Sequence, residues 1–311
     1  MLCDPCSTLA DPFRSELAAM SDAPPPIRRE DFRFLDRLRV RWAEVDMQKI
    51  VFNGHYLMYF DTAVAGYWRA LAMPYHETMD KLEGDLYVRK ATLEYLGSAR
   101  YDDMLEVGIR CGRIGNSSMV FTAAVLRGGQ CLVHGDLVYV FADPKTQTSR
   151  PVPAPLRQVL QGYEAGEAML QVQLGTWLDQ GHAARAIRDT VFVQEQGIAA
   201  ELIVDDADPG ALHAVAVNRF GLPVGTGRLA HLGQGVSKIG RMATLASVRG
   251  AGAGQAVLAA LTQASRDRGD RQLVLHAQAS AVGFYLRHGF VPIGERFSEA
   301  GVEHQAMQKT L

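Results

Sequence analysis

Asn53-Gly54-His55-Tyr56-Leu57-Met58-Tyr59-Phe60-Asp61-Thr62-Ala63-Val64-Ala65-Gly66-Tyr67-Trp68-Arg69-Ala70-Leu71 is the stretch on which the fold of the first half turns. Tyr56, Tyr59, Phe60, Ala63, Tyr67, Trp68 and Leu71 recur at three- and four-residue steps. That spacing predicts a helix with one broad apolar stripe, stopped by Pro74. Such a stripe needs a sheet to cover it. Upstream, Phe34 to Trp42 alternates apolar residues with Arg37, Arg39 and Arg41 and reads as a strand with one buried face. Downstream lie four strand-like runs, Leu86 to Leu96, Met104 to Arg113, Ser118 to Leu126 and Cys131 to Ala142. Gly115-Asn116 and Gly128-Gly129 between them supply positive-φ turn residues, so the runs are expected to pair as an antiparallel meander. One long helix against one curved sheet follows for residues 31–150.

The prolines of Asp143 to Pro155 mark a boundary, and residues 151–164 read as a linker. Residues 165–311 have a different rhythm: a strand at Met169 to Leu174, a helix from His182 to about Gln194, and strands at Leu212 to Asn218, Val224 to Ala230 and Lys238 to Thr244. Then come a helix to about Asp267, a strand at Gln272 to His276, a helix at Ala279 to His288, and strands at Phe290 to Arg296 and Glu303 to Gln308. That order is mixed α/β. Residues 1–30, with Pro24-Pro25-Pro26, read as a disordered leader in which Met20 is an alternative start.

The chain has 311 residues, enough for two domains of ordinary size. Lys plus Arg (32) nearly balances Asp plus Glu (34), and no basic stripe appears, so no nucleic-acid partner is expected. No apolar run reaches spanning length and no signal-peptide core is present, so neither a membrane nor export is expected. The four cysteines are too scattered for a disulfide framework, and the lone Cys3-x-x-Cys6 has no second pair at zinc spacing. No metal and a cytoplasmic location are the expectation.

Thioester hydrolysis needs a group that attacks or directs water, and donors aimed at the developing oxyanion. Asp46, a few residues before the amides of Asn53, Gly54 and His55 at the start of the long helix, offers both. The other reading of Asp46 is a carboxylate that pairs with Arg41 or caps a turn. Asp46 with Val51-Phe52-Asn53-Gly54-His55-Tyr56-Leu57, Leu93-Glu94-Tyr95 and Asp102-Asp103-Met104-Leu105-Glu106-Val107 resembles the 4-hydroxybenzoyl-CoA thioesterase-like hotdog proteins over roughly residues 32–145. The resemblance implies a hotdog fold, Asp46 as nucleophile or general base, and a homodimer or homotetramer through this domain; Asn53 and His55 are candidates for catalytic support, with a helix-cap role the other reading of His55. Lys49 and Ile50 stand where many members carry glycine and a polar or glycine residue, and Asn53 where histidine is frequent. Asp61 is the alternative carboxylate, used in another hotdog branch.

In the second half Arg249-Gly250-Ala251-Gly252-Ala253-Gly254 joins a strand to a helix, a setting in which backbone amides cradle phosphates. It is neither a dinucleotide fingerprint, since Gln255 replaces the last glycine, nor a P-loop. With Ala281-Val282-Gly283-Phe284-Tyr285 and His288-Gly289-Phe290 it resembles the GNAT acetyltransferases over roughly residues 165–311. Phe192-Val193-Gln194-Glu195-Gln196, Gly225-Thr226-Gly227-Arg228-Leu229, Lys238-Ile239-Gly240-Arg241-Met242 and Leu275-His276-Ala277-Gln278 look like the ElaA-like branch. The resemblance implies a mixed-sheet α/β domain and Tyr285 as the acid for the leaving thiolate. It also implies a coenzyme A site drawn from Met242, Thr244, Arg249, Gly250, Gly252, Gly254, Gln255 and Gln278. No base for the acceptor is singled out: Glu195, Glu201 and Asp205 are candidates, and Asp205-Asp206 with Asp208 also reads as a solvated acidic loop.

The expected whole is an α+β chain with two enzymes in series, acyl-CoA hydrolysis followed by acetyl transfer to a small-molecule or peptide amine. Acetyl-CoA or acyl-CoA is cosubstrate, and no cofactor is bound permanently. The alternative is a CoA-responsive regulatory or assembly protein that binds acyl-CoA without turnover.

Overall fold

The computed structural model describes residues 27–311. The first unit comprises β1 (Phe34–Arg39), α1 (Asn53–Ala70), α2 (Tyr75–Leu82), β2 (Asp85–Tyr95), β3 (Met104–Ile114), β4 (Ser118–Arg127) and β5 (Gln130–Ala142). Its five strands form one antiparallel sheet in the order β1-β3-β4-β5-β2. Helix α1 buries Tyr56, Tyr59, Phe60, Ala63, Val64, Tyr67 and Trp68 against it, the stripe read from the sequence. Tyr67 and Trp68 both meet Phe121 of β4 edge-on, at 5.7 and 5.4 Å between ring centres.

Only β3, β4 and β5 follow the expected meander; β2 pairs with β5 on the far side. The turns explain the difference. Gly128 and Gly129 take φ of 57° and 85° and close β4 onto β5 tightly, while the β3–β4 turn closes through Gly115 N to Ser118 O at 2.7 Å without a positive φ. Between β2 and β3 no tight turn exists, and the chain runs past the start of α1, where Ala99 O accepts from Val51 N at 2.9 Å. Gly135 permits the far-edge pairing, because a Cβ there would lie 1.9 Å from the Thr92 carbonyl oxygen of β2.

Strand β1 is shorter than its alternation predicts. Buried Glu44 pulls the chain into a 3-10 turn (Trp42–Glu44) by accepting from Arg41 N at 2.7 Å and Tyr59 OH at 2.8 Å, which leaves Trp42 78% exposed.

Residues 151–164 are not a bare linker. They hold α3 (Ala154–Glu164), whose Leu156, Val159, Leu160 and Tyr163 enter the first core. Glu164 Oε1 accepts from Tyr67 OH at 2.5 Å and from Cys111 N at 2.9 Å. Pro151 and Pro153 precede α3 and Pro155 sits in its first turn, where a missing N–H costs nothing. The expected leader lies largely outside the described residues, as do Cys3, Cys6 and Met20; its last residues are docked, with Arg29 Nε 2.7 Å from Glu106 and Ile27 against a small cluster around Phe32.

The second unit contains β6 (Leu170–Gly175), α4 (Trp177–Arg188), a π-helical segment (Asp189–Glu195), β7 (Leu212–Asn218), β8 (Pro223–Gly233), β9 (Val236–Thr244), α5 (Ala253–Asp267), β10 (Gln272–Gln278), α6 (Val282–Arg287), β11 (Val291–Glu299) and β12 (Val302–Thr310). The sheet order is β11-β12-β10-β9-β8-β7-β6, and only β9 and β10 run parallel. Alternation on β7 feeds both faces: Ala214 and Ala216 join the core under α5, and Val215 joins the one under α4. The helix expected over 182–194 starts earlier, capped by Thr176 and Asp179 (Thr176 Oγ1 to Asp179 Oδ2, 2.7 Å), and relaxes into the π-helical turn.

The units are joined by more than chain. Phe220 and Met169 bury into the first core, Asn218 Nδ2 donates to Ala72 O at 2.9 Å, and Lys81 Nζ donates to Phe220 O at 2.6 Å.

Candidate active sites

A cavity of about 450 Å³ opens at the start of α1, lined by Asp46, Ile50, Phe52, Asn53, Tyr56 and Tyr95 among others. A turn positions the acid: Asp46 N donates to Ile50 O at 2.9 Å, Lys49 N to Asp46 O at 3.0 Å, and Gln48 N to Asp46 Oδ1 at 2.8 Å. Asp46 thus caps a turn with one oxygen, while Oδ2 has no partner among the described residues. Arg41 is not its mate, being held by Glu44 at 2.6 Å. Lys49 takes φ 63°, the left-handed conformation that favours glycine, so the glycine-to-lysine departure falls where the turn needs a positive φ.

The helix start supplies donors. Asn53 and Gly54 amides lie in the first turn, where no intrahelical acceptor exists, and no other acceptor for them is found among the described residues. His55 N is already given to Phe52 O at 2.9 Å. The His55 side chain does not line the cavity; its Nδ1 is buried and unpartnered among the described residues. Asp61 is exposed on α1 and also lies outside the cavity lining.

The second site follows from the parallel pair. β9 and β10 are paired from Val236↔Gln272 to Ile239↔Leu275 and no further, so the strands part beyond that point. A cavity of about 380 Å³ occupies the opening, lined by Met242 of β9, His276 and Gln278 of β10, Tyr285 of α6, and Phe192 and Ile198 of the segment after α4. Tyr285 is buried, and that burial pushes its hydroxyl up to about 12, so it holds its proton at neutral pH.

The glycine loop stands at the start of α5. Gly250 and Gly252 take φ of 93° and 88°, which side chains resist. Amides of Gly250, Gly252, Ala253 and Gly254 meet no acceptor among the described residues, an anion-ready arrangement. Arg249, the loop glycines, Thr244 and Gln255 are outside the cavity lining itself. Arg249 folds back, donating from Nε to Thr244 O at 3.2 Å and from both terminal nitrogens to Glu195 at 2.6 Å each.

Three acids considered as bases fare differently. Hydrogen bonding to Arg249 holds Glu195 below its ordinary range, and it is not in the cavity lining. Glu201 is exposed and likewise outside it. Asp205 lines the cavity but is gripped by Arg228 (3.0 Å) and Arg241 (2.7 Å), which hold it at about 2. Its neighbour Asp208 is fully buried against Arg188 at 3.0 Å, so of the acidic run expected to be solvated only Asp206 is exposed. The buried arginine is the reason: it needs a carboxylate. Sequence reading missed the contact of His276 with Glu299, 2.7 Å, on the cavity wall. His276 stood in a quoted motif, but Glu299 reaches it only through sheet pairing. Among the described residues no cluster suited to a metal is present, and no helix is long and apolar enough to cross a membrane.

Two family models match the chain: the thioesterase superfamily over residues 48–133 and the acetyltransferase (GNAT) domain over residues 192–311. The uncharacterized N-acetyltransferase YjcF of Bacillus subtilis (strain 168) is 37% identical over 124 residues, 40% of this chain and 87% of YjcF. The acyl-CoA thioester hydrolase YbgC of Escherichia coli O6:H1 is 27% identical over 120 residues, 37% of this chain and 87% of YbgC. Among solved structures, a putative N-acetyltransferase from Lactobacillus plantarum is 30% identical at a TM-score of 0.43, over 46% of this chain and 99% of that one. The chain therefore carries a thioesterase-superfamily hotdog domain followed by a GNAT domain, and through the second it belongs to the GNAT acetyltransferase family.

Proposed function

We propose that the chain is a bifunctional CoA-dependent enzyme: the first domain hydrolyses acyl-CoA thioesters and the second transfers an acyl group from CoA to an amine. The observation that carries this reading is that each motif's central residue lines its own cavity, Asp46 in one and Tyr285 in the other.

In the first site, Asp46 Oδ2 attacks the thioester or takes a proton from water, and the Asn53 and Gly54 amides receive the oxyanion, assisted by the α1 dipole. In the second, the Arg249–Gly254 loop holds the CoA pyrophosphate, and Met242 and Thr244 lead pantetheine into the gap between β9 and β10. Tyr285 returns a proton to the departing sulfur. The hotdog domain pairs with a second copy, and the protein works in the cytoplasm.

The test is a panel of acyl-CoAs assayed for free thiol, with and without amines, on the wild-type chain and on Asp46→Asn and Tyr285→Phe. Asp46→Asn lowers amine-independent thiol release at least about 100-fold and spares amine-dependent release; Tyr285→Phe does the reverse. Unchanged hydrolysis in a folded Asp46→Asn protein overturns the first assignment, and full transfer by Tyr285→Phe across the pH range overturns the second.

A further inference from the structure

The proposed roles leave His276 and Glu299 on the wall of the second cavity unassigned. His276 Nδ1 lies 2.7 Å from Glu299 Oε2 and 3.3 Å from Lys238 Nζ. A carboxylate at that distance requires a proton on Nδ1, since two lone pairs would repel, and Nε2 is left as the basic nitrogen. Among the described residues Nε2 has no hydrogen-bond partner.

Position points the same way. His276 is the first residue of β10 beyond the last pair with β9 (Ile239↔Leu275), at the mouth of the opening. Alternation turns Leu273, Leu275 and Ala277 into the core and His276 with Gln278 to the other face. Gln278 Nε2 donates to Gln196 Oε1 at 2.9 Å, so that face is the one roofed by the segment following α4. His276, Glu299 and Tyr285 line the same cavity. The carboxylates weighed from the sequence are placed elsewhere or held by arginine, as described above.

We propose that His276, positioned by Glu299, is the base that takes the proton from the acceptor ammonium; this rests on the transferase reading of the second domain. The groups facing the imidazole are Glu299 from β11, Lys238 from β9, and the ring of Phe297, which in turn stacks on His304 of β12. One ammonium proton passes to Nε2, giving an imidazolium whose charge rests against Glu299. The freed nitrogen lone pair forms the C–N bond at the thioester carbonyl, and the tetrahedral adduct breaks its C–S bond. The sulfur takes the Tyr285 proton. Tyr285 is restored by the proton the nitrogen loses as the amide forms, and the imidazolium returns its proton to water.

The test measures initial rates of amide formation by mass spectrometry at saturating acetyl-CoA, a product that hydrolysis in the first domain does not form. The full chain is supplied with acetyl-CoA and two classes of acceptor: alkyl amines (spermidine, a lysine-containing peptide), largely ammonium at neutral pH, and weakly basic amines (4-methoxyaniline, methoxyamine), already neutral. His276→Gln is expected to lower kcat for alkyl amines at least about 100-fold, to keep weakly basic amines within about threefold, and to leave the acetyl-CoA KM unchanged. Glu299→Gln lowers only the alkyl-amine rate, about 10-fold. Equal losses for both classes mean a merely structural role and overturn the proposal. Should wild type bind acetyl-CoA yet acylate no amine in either class, the transferase reading fails and the base assignment with it.

Discussion

Glu195 and Arg249 form a two-pronged ion pair, each carboxylate oxygen 2.6 Å from a guanidinium nitrogen. Next to it Gln196 is bonded to Gln278, so two successive residues tie the segment after α4 to the loop following β9 and to the end of β10. The carboxylate occupies the guanidinium that we assign to the CoA pyrophosphate. Glu195→Gln removes that competitor and is expected to tighten CoA binding about two- to fivefold, a small effect because both groups are substantially exposed. Calorimetric titration of CoA checks this; weaker binding would make Glu195 a ligand-positioning group instead.

Helix α3 belongs energetically to the first core. Leu160 is fully buried there, and Leu160→Ala is expected to destabilise the chain by about 2–5 kcal/mol. A fragment ending at residue 150 lacks α3 and uncovers Tyr67 OH along with the Cys111 amide. Urea unfolding of the variant, and comparison of fragments 27–150 and 27–169, measure both effects.

Asp205 gives stability a definite pH dependence. Hydrogen bonding to Arg228 is the leading cause of its descent from the ordinary aspartate range to about 2. A depressed carboxylate contributes stability above its unfolded value and loses it as pH falls through the folded one. The contribution is therefore present at neutral pH and fades between about 4 and 2. Asp205→Asn should be less stable than wild type at pH 7, with the gap narrowing across that window in acid-unfolding curves.

Gly252 sits at φ 88° with open space around its would-be Cβ, so Gly252→Ala costs backbone strain without a clash. About 1–2 kcal/mol of destabilisation is expected, with CoA affinity weakened by displaced loop amides. Thermal unfolding and CoA titration separate the two; unchanged affinity would place the pyrophosphate elsewhere.

Much of this was legible in the residues alone. The α1 stripe, the strand runs and the glycine loop before α5 are short-range patterns that periodicity and spacing carry directly, and the Tyr285 motif is a short run marked by its resemblance to the GNAT proteins. The stripe predicted from Tyr56 to Leu71 is buried, and Asp46 and Tyr285 each stand on a cavity wall. Long-range pairing decided the remainder. That β2 crosses to β5, that α3 seals the first core, that Glu195 answers Arg249 and that Glu299 meets His276 depend on residues tens of positions apart. Such contacts are set by how whole elements pack and which buried charges must be matched, and no local run of sequence records them.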